Sequence, residues 1–560
     1  MNAHPRPYYY LENFTVALEW LRSRYHNLLC VGERQFIGDF EQLPTEAAAL
    51  VVRMIMRQGD LFRTSKLDYA EIGCPRRAAA PLMELGWLDP DPALGFPDLF
   101  RLLRKAELCD ALELTRAGRS LRKPELIPLV GEVVGETRTL RQWWPAAPDE
   151  VFHVRIAGLC DRLRLMFFGN FHQTWSEFVL ADLGIFRYES VSLDESARAF
   201  QSREQIEQFY AIYRCRELLH AEAPLDEVLA SVPDPLLTDS AAWIEAKRAK
   251  LLFAIAQLYE KDHELPRALE VYRRSNHPEA RVRAARVLEK LDRLEEATEL
   301  ATRVQQHPAN EFETQLCARL LPRLQRKLAA QRNVSAIGPS ALHRLARRGW
   351  GTLELELPQP NPPQRVELVV REHLGTPDAP VLYVENTLLN ALFGLLCWEA
   401  IFAPLPGAFF HAFQAAPADL LDAGFHERRA ALFAACFAQL ESGAYRDTIL
   451  DTFERKSGLQ TPFVAWDWLT REALELALDC IPAAHLSGFF QRLLTDMRAN
   501  RSGLPDLIQL WPGERRYRLI EVKGPGDRLQ DNQIRWLSFC VAREIPVYVC
   551  KVSWQAAALS

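Results

Sequence analysis

Two short runs near the C-terminal end constrain this chain more than anything else in it. They are Gly503-Leu504-Pro505-Asp506-Leu507-Ile508 and Leu519-Ile520-Glu521-Val522-Lys523-Gly524. In the first, an acid follows a proline. In the second, an acid sits two residues before a lysine inside an apolar run. An unpaired charge is costly to bury, so acids placed this way need a shared use. Leu507 to Leu510 reads as a short strand, and Trp511 to Arg515 as a turn punctuated by Pro512 and Gly513. Arg516 to Lys523 reads as a second strand, with Tyr517 and Ile520 supplying β propensity. A loop of about five residues makes this a hairpin. Alternation puts Glu521 and Lys523 on one face and Val522 on the other. Pairing brings Asp506 beside Glu521, and the Val522 backbone carbonyl can turn toward the same point.

Gly524-Pro525-Gly526 ends the second strand. Asp527 followed three residues later by Gln530 has capping-box spacing and predicts a helix start. Leu529, Gln533, Trp536, Leu537 and Cys540 then share a face, and Gln533 is its polar exception, suited to orienting water or a ligand. Val547 to Val552 predicts a further strand after Pro546. The result is a mixed α/β core with its acids at one edge. A lone Glu-x-Lys in a strand is ordinarily a surface salt bridge. Its combination with Pro-Asp, a hairpin-length gap and a capped helix is far more specific. Two carboxylates and an ammonium around one point can hold a hard divalent cation and polarise a phosphodiester.

This set resembles the VRR-NUC version of the PD-(D/E)XK nuclease core. Val384-Glu385-Asn386-Thr387 and the run Leu392 to Phe402 resemble the helix opening that module in Fanconi-associated nucleases. Tyr9 to Phe14 and Ser65 to Ile72 are also similar to that family. The resemblance covers most of the chain and is strongest from Glu385 onward. It implies that a helix-borne glutamate, here Glu385, completes the metal site. Glu399, roughly 21 Å farther along such a helix, cannot share that metal and is read as structural. The expected ligands of Mg²⁺ or Mn²⁺ are Glu385, Asp506, Glu521 and the Val522 carbonyl. Asp506, Glu521, Lys523 and Gln533 are the expected catalytic residues. The resemblance further implies cutting of branched or flapped DNA near a 5′ flap, 5′-to-3′ exonuclease action, and a role in interstrand crosslink repair.

At 560 residues the chain should hold several domains. The expected architecture is multidomain and mostly α. An N-terminal helical and SAP-like DNA-binding region spans 1–125, a helical region with tetratricopeptide-like (TPR-like) repeats spans 126–374, and a C-terminal α/β PD-(D/E)XK (VRR-NUC) nuclease domain spans 375–560. The repeat signal is Leu258-Tyr259-Glu260-Lys261 recurring as Val287-Leu288-Glu289-Lys290, with Leu265, Ala268, Glu270 and Arg274 recurring as Leu294, Ala297, Glu299 and Arg303. This offset of 29 residues is a little short of the usual TPR period of about 34. Such repeats serve as a protein-binding surface or, the reading preferred here, as a rigid spacer. A proline cluster follows at Leu357 to Pro363, flanked by Leu353–Leu357 and Val366–Arg371 as a small hairpin-like addition.

No run of about twenty apolar residues predicts a membrane span, and the N-terminus lacks a secretory h-region. The 11 cysteines show neither Cys-x-x-Cys nor zinc-finger spacing. Free thiols in a reducing cytoplasm are expected, and the ubiquitin-binding zinc finger of some eukaryotic relatives has no counterpart. A bacterial, nucleoid-associated protein fits the composition. The net charge of −6 argues against a general nucleic-acid coat, so DNA contact must rely on local basic tracks. Candidates are Arg57, Arg63 and Lys66, then Arg116, Arg119, Arg122 and Lys123. In a helical insert over 403–500 they are Arg428, Arg429 and Arg498, with Arg501 just beyond. Competing readings are a Holliday-junction-type resolvase, an RNase, or a non-catalytic helical-repeat repair scaffold.

Overall fold

The computed structural model describes residues 7–57, 59–114, 119–130, 136–170, 173, 175, 186–236, 242–331, 349–422 and 424–555. Arg116 lies outside them. The chain divides into two compact units, one comprising 1–186 with 200–206 and the other 187–199 with 207–560.

The first unit is built from amphipathic helices and short strands. The helix Thr45–Ile55 buries Ala47 through Val52 together with Met54. A three-stranded antiparallel sheet has Val151–Val154 at its centre, paired with Leu61–Arg63 and Leu88–Asp89. A smaller core gathers Phe96, Leu99, Leu108, Leu126, Leu140 and Trp143.

The second unit contains, after the helices Arg203–His220 and Leu225–Ala230, a stack of helices: α1 (Ala242–Lys261), α2 (Leu265–Arg274), α3 (Ala280–Lys290), α4 (Leu294–Gln306) and α5 (Glu311–Gln331). The repeat read from sequence is realised in atomic detail. His263 and Asp292, one period apart, both take left-handed backbone, with φ of 63° and 59°. Each is followed by an N–H that reaches five residues back, Glu264 to Tyr259 and Arg293 to Leu288. The corresponding acids bridge successive hairpins: Glu260 binds Lys290 at 2.8 Å, and Glu289 binds Lys327 at 2.9 Å. Helix α5 then joins the rest of the unit through the Glu311–Arg492 pair at 2.7 Å and the Gln315–Arg535 hydrogen bond at 2.6 Å.

The five-stranded sheet comprises β1 (Gly351–Leu357), β2 (Val381–Tyr383), β3 (Leu507–Trp511), β4 (Arg516–Lys523) and β5 (Val547–Trp554), in the order β1-β5-β4-β3-β2. β5 runs parallel to β1 and β4, whereas β3 is antiparallel to β4 and β2. Because β1 belongs to this sheet, the expected domain border at 375 cuts through one hydrogen-bonded layer. Val366 to Arg371 is also not the second arm of a hairpin. It opens helix α6 (Val366–Leu374), whose Val366, Val369, Val370 and Leu374 recur at helical spacing and pack on Leu507, Ile520 and Val522. The other sheet face, with Ile508, Leu510, Tyr517 and Leu519, meets α7 (Leu388–Leu396), the helices of the insert between β2 and β3, and α8 (Asp531–Ala542). α8 starts three residues later than the capping pattern suggested. Gly526, at φ 88°, makes a turn in which Asp527 accepts the Gly524 N–H, so Asp527 is spent before the helix begins.

Among the described residues no single helix is long and apolar enough to cross a membrane. All eleven cysteines are free thiols.

Candidate active site

The predicted hairpin forms with Leu507 opposite Ile520 and Trp511 opposite Arg516. Pro512–Glu514 closes it as a 3-10 turn, and Arg515 takes left-handed backbone at φ 50°. One step beyond the last pair, Asp506 faces Glu521. The Val522 N–H donates to Asp506 Oδ2 at 2.8 Å. Within a strand the N–H and C=O of one residue point to the same edge. The Val522 carbonyl therefore also faces Asp506, past the end of β3. On the other side of Asp506, its own carbonyl accepts the Val384 N–H at 2.8 Å. That bond places Glu385 next to the pair.

The local sequence enforces this convergence. Pro505 keeps Leu504 extended. Gly503 has φ 82°, and a Cβ there would lie 2.8 Å from the Asn532 side chain and 2.9 Å from its backbone carbon. Only glycine lets the chain pass so close to the start of α8.

Glu521 is 1% exposed and Asp506 6%. Neither Glu521 carboxylate oxygen has a regular hydrogen-bond partner, although the Lys523 ammonium lies 2.8 Å from Oε1. Burial pushes the Asp506 carboxyl up to about 6; the Val522 N–H opposes this, and the Glu385 and Glu367 carboxylates add to it. Burial and the Asp506 charge push Glu521 up to about 8, against the pull of Lys523. A buried carboxylate with one ammonium beside it and two more acids crowding it is the arrangement a further cation relieves. The donor set is entirely hard oxygen, which suits Mg²⁺ or Mn²⁺. Glu367, in the first turn of α6, belongs to this neighbourhood and was passed over in the sequence, where only its helical phase could have pointed to it.

Other expected roles change on contact with the structure. Glu385 is not on a helix. It sits in the turn between β2 and α7, and its Oε2 accepts the Tyr383 O–H. The helix itself breaks at Cys397, so Glu399 lies on a separate short turn. Gln533 is engaged at the start of α8. As the third residue of α8 it uses Oε1 to accept the Gln530 N–H at 2.8 Å, closing a capping box.

The basic candidates sort by what already holds them. Arg63 is buried, 5% exposed, between Asp149 and Glu107 and cannot face a phosphate. The Lys123 ammonium donates to the Leu103 carbonyl at 2.7 Å and lies over Phe100. Arg119 pairs with Asp110, and Arg57 donates to the Lys66 carbonyl. Arg501 folds over the Phe463 ring and donates to the Pro462 carbonyl. Arg428 and Arg429 turn inward onto Asp419. Lys66, Arg122 and Arg498 are exposed, and among the described residues no ion pair holds them.

Arg498 also has company that sequence could not reveal. Burial, with Arg216, Arg498 and Lys247 nearby, lowers the Lys250 ammonium. Burial, with Arg498 and Lys250, pushes His277 down to about 4. These cations converge from helices almost three hundred residues apart.

A buried acidic hairpin in this mixed five-stranded sheet fits a nuclease domain. The VRR-NUC domain family matches residues 440–554, the FAN1 HTH domain family residues 8–89, and the Fanconi anemia-associated nuclease SAP domain family residues 94–143. The chain is 50% identical over 552 residues to the Fanconi-associated nuclease 1 homolog of Pseudomonas aeruginosa, covering 99% of this chain and 97% of that protein. It is 24% identical to the Oryza sativa homolog, spanning 97% of this chain but 62% of that longer protein. The crystal structure of paFAN1 bound to DNA with a 2-nucleotide 5′ flap and a gap aligns at a TM-score of 0.87 and 50% identity, over 99% of this chain and 100% of that one. A second, with a 1-nucleotide flap, aligns equally well, at 0.87. The chain belongs to the Fanconi-associated nuclease family and is a DNA-cleaving hydrolase.

Proposed function

We propose that this enzyme cuts 5′-flapped DNA near the branch and proceeds as a 5′-to-3′ exonuclease in interstrand crosslink repair. The observation that carries the chemistry is the buried Glu521, met by the Lys523 ammonium at 2.8 Å and crowded by Asp506. Asp506, Glu521, Glu385 and the Val522 carbonyl would hold Mg²⁺ or Mn²⁺. When bound, such a cation supplies a water of lowered pKa and neutralises charge on the scissile phosphate. Lys523, aimed at the same point from 2.8 Å, steadies charge developing on the phosphate oxygens. The Val522 N–H fixes Asp506 through Oδ2. Gln533 holds the start of α8 and acts on the site only by positioning that helix.

Phosphates of the flap backbone are gripped by Arg498 with Lys247, Lys250 and Arg216, a cluster that fits contact without sequence readout. Lys66 and Arg122 are the first unit's own phosphate contacts. The repeats act as a rigid spacer, held to the helix Ala483–Thr495 through Glu311 and to α8 through Gln315. The working location is the bacterial cytoplasm, at the nucleoid.

The test is end-labelled 5′-flap DNA incubated with the full chain and Mg²⁺, Mn²⁺ or EDTA, beside Glu521→Ala and Asp506→Ala. Metal-dependent cuts near the branch, lost in both variants while flap binding persists, are the expected result. Cleavage by the variants at the wild-type rate would overturn it.

A further inference from the structure

Glu385 is the one expected metal ligand that the sheet does not hold. It is exposed, sits on a turn, and has a long side chain whose ordering costs roughly 1.5–2 kcal/mol. The structure surrounds it with devices that reduce this freedom. Tyr383 closes β2 opposite Leu507, lays its ring against the core formed by Val370, Leu507 and Ile520, and donates its O–H to Glu385 Oε2. Asn386 takes left-handed backbone at φ 52°. Its Oδ1 accepts the Leu504 N–H at 3.2 Å, and its carbonyl accepts from Asn390 at 2.8 Å. The Glu385 turn is therefore tied to the segment that leads into Asp506.

We propose that Tyr383 is a positioning residue for metal capture, its hydroxyl holding Oε2 of Glu385 while the Asn386 amide reaches Oε1 at 3.4 Å, so that the carboxylate is kept beside Asp506 and Glu521, with Asn386 also fixing the turn that carries it. The inference rests on Glu385 being a ligand. An outer hydrogen bond of this kind orients a metal-binding carboxylate, and its loss typically weakens affinity by about 10–100-fold. Burial and the Glu385 charge raise the phenol's pKa, so the hydroxyl stays a donor at any working pH.

The experiment is calorimetric titration of Mn²⁺ into the metal-stripped full chain at pH 8, for wild type, Glu385→Gln, Tyr383→Phe and Tyr383→His, with melting temperatures in EDTA as the check on folding. Tyr383→Phe is expected to weaken Mn²⁺ binding by about tenfold or more. In flap cleavage its half-saturating Mn²⁺ should rise by the same factor, with KM for DNA and kcat at saturating Mn²⁺ nearly unchanged. Tyr383→His keeps a ring and a donor and should recover part of the affinity. If Glu385→Gln weakens binding but Tyr383→Phe does not, the positioning role is wrong and the ligand assignment stands. If Tyr383→Phe loses affinity together with its melting temperature in EDTA, disturbed packing explains the effect and the proposal falls. If Glu385→Gln binds Mn²⁺ like wild type, the ligand assignment fails and the proposal with it.

Discussion

Metal binding by this site should be coupled to proton release. With Asp506 raised to about 6 and Glu521 to about 8, the metal-free pair holds about one proton at pH 7, mostly on Glu521. A divalent ion needs both carboxylates ionised. Binding should then expel about one proton at pH 7, about 1.5 at pH 6 and fewer than ~0.3 at pH 8.5. Integrated over pH 6 to 8, apparent Mn²⁺ affinity should rise about 100-fold and then level off. The sign for folding follows from the same shift. Glu521 has its pKa raised above the ordinary glutamate value of 4.5. Between that value and about 8 the folded chain keeps a proton that the unfolded chain has released. Glu521 therefore lowers metal-free stability as pH rises through this window, by at most about 1.4 kcal/mol per unit, and its contribution is flat above it; Asp506 adds to the slope below about pH 6. Titrating Mn²⁺ calorimetrically in buffers of different ionisation enthalpy counts the protons. Glu521→Gln should remove most of the slope. Wild-type affinity that stays flat between pH 6 and 8, with no proton released, would refute the reasoning.

Four further outcomes are expected. Arg63→Met strands the buried Asp149 charge and should cost about 3–5 kcal/mol in denaturant unfolding; a loss under ~1 kcal/mol would mean Arg63 is not held as described. Gly503→Ala forces a Cβ against Asn532 at positive φ and should destabilise by more than ~1 kcal/mol, seen as a lower melting temperature. Gln533→Ala should cost about 1 kcal/mol of stability yet retain cleavage, whereas complete loss of activity in a folded variant would restore a direct catalytic role. Arg498→Ala should weaken flap binding uniformly across sequences and reduce the slope of log affinity against log salt by about 1, and an unchanged slope would exclude phosphate contact.

The acidic hairpin was legible in sequence because each of its signals is local. Pro512 and Gly513 set the turn, β-formers set the strands, and a two-residue side-chain period decides which face Glu521 and Lys523 share. The helical repeat was legible for the same reason, since its hydrophobic pattern and its tight turns recur at a fixed spacing. Tertiary structure alone decided what lies beside that hairpin. Glu367 and Glu385 reach it from elements more than a hundred residues upstream, and β1 enters the sheet only by pairing with the last strand. The fate of the cations was equally invisible. Arg63, Lys123, Arg429 and Arg501 look like Arg498 in a linear reading, but the first four are claimed by carboxylates, carbonyls or rings of the folded chain. A charged side chain carries no local mark of its partner. Its role is set by which distant groups the fold brings within hydrogen-bond reach, and by how much water the fold leaves around it.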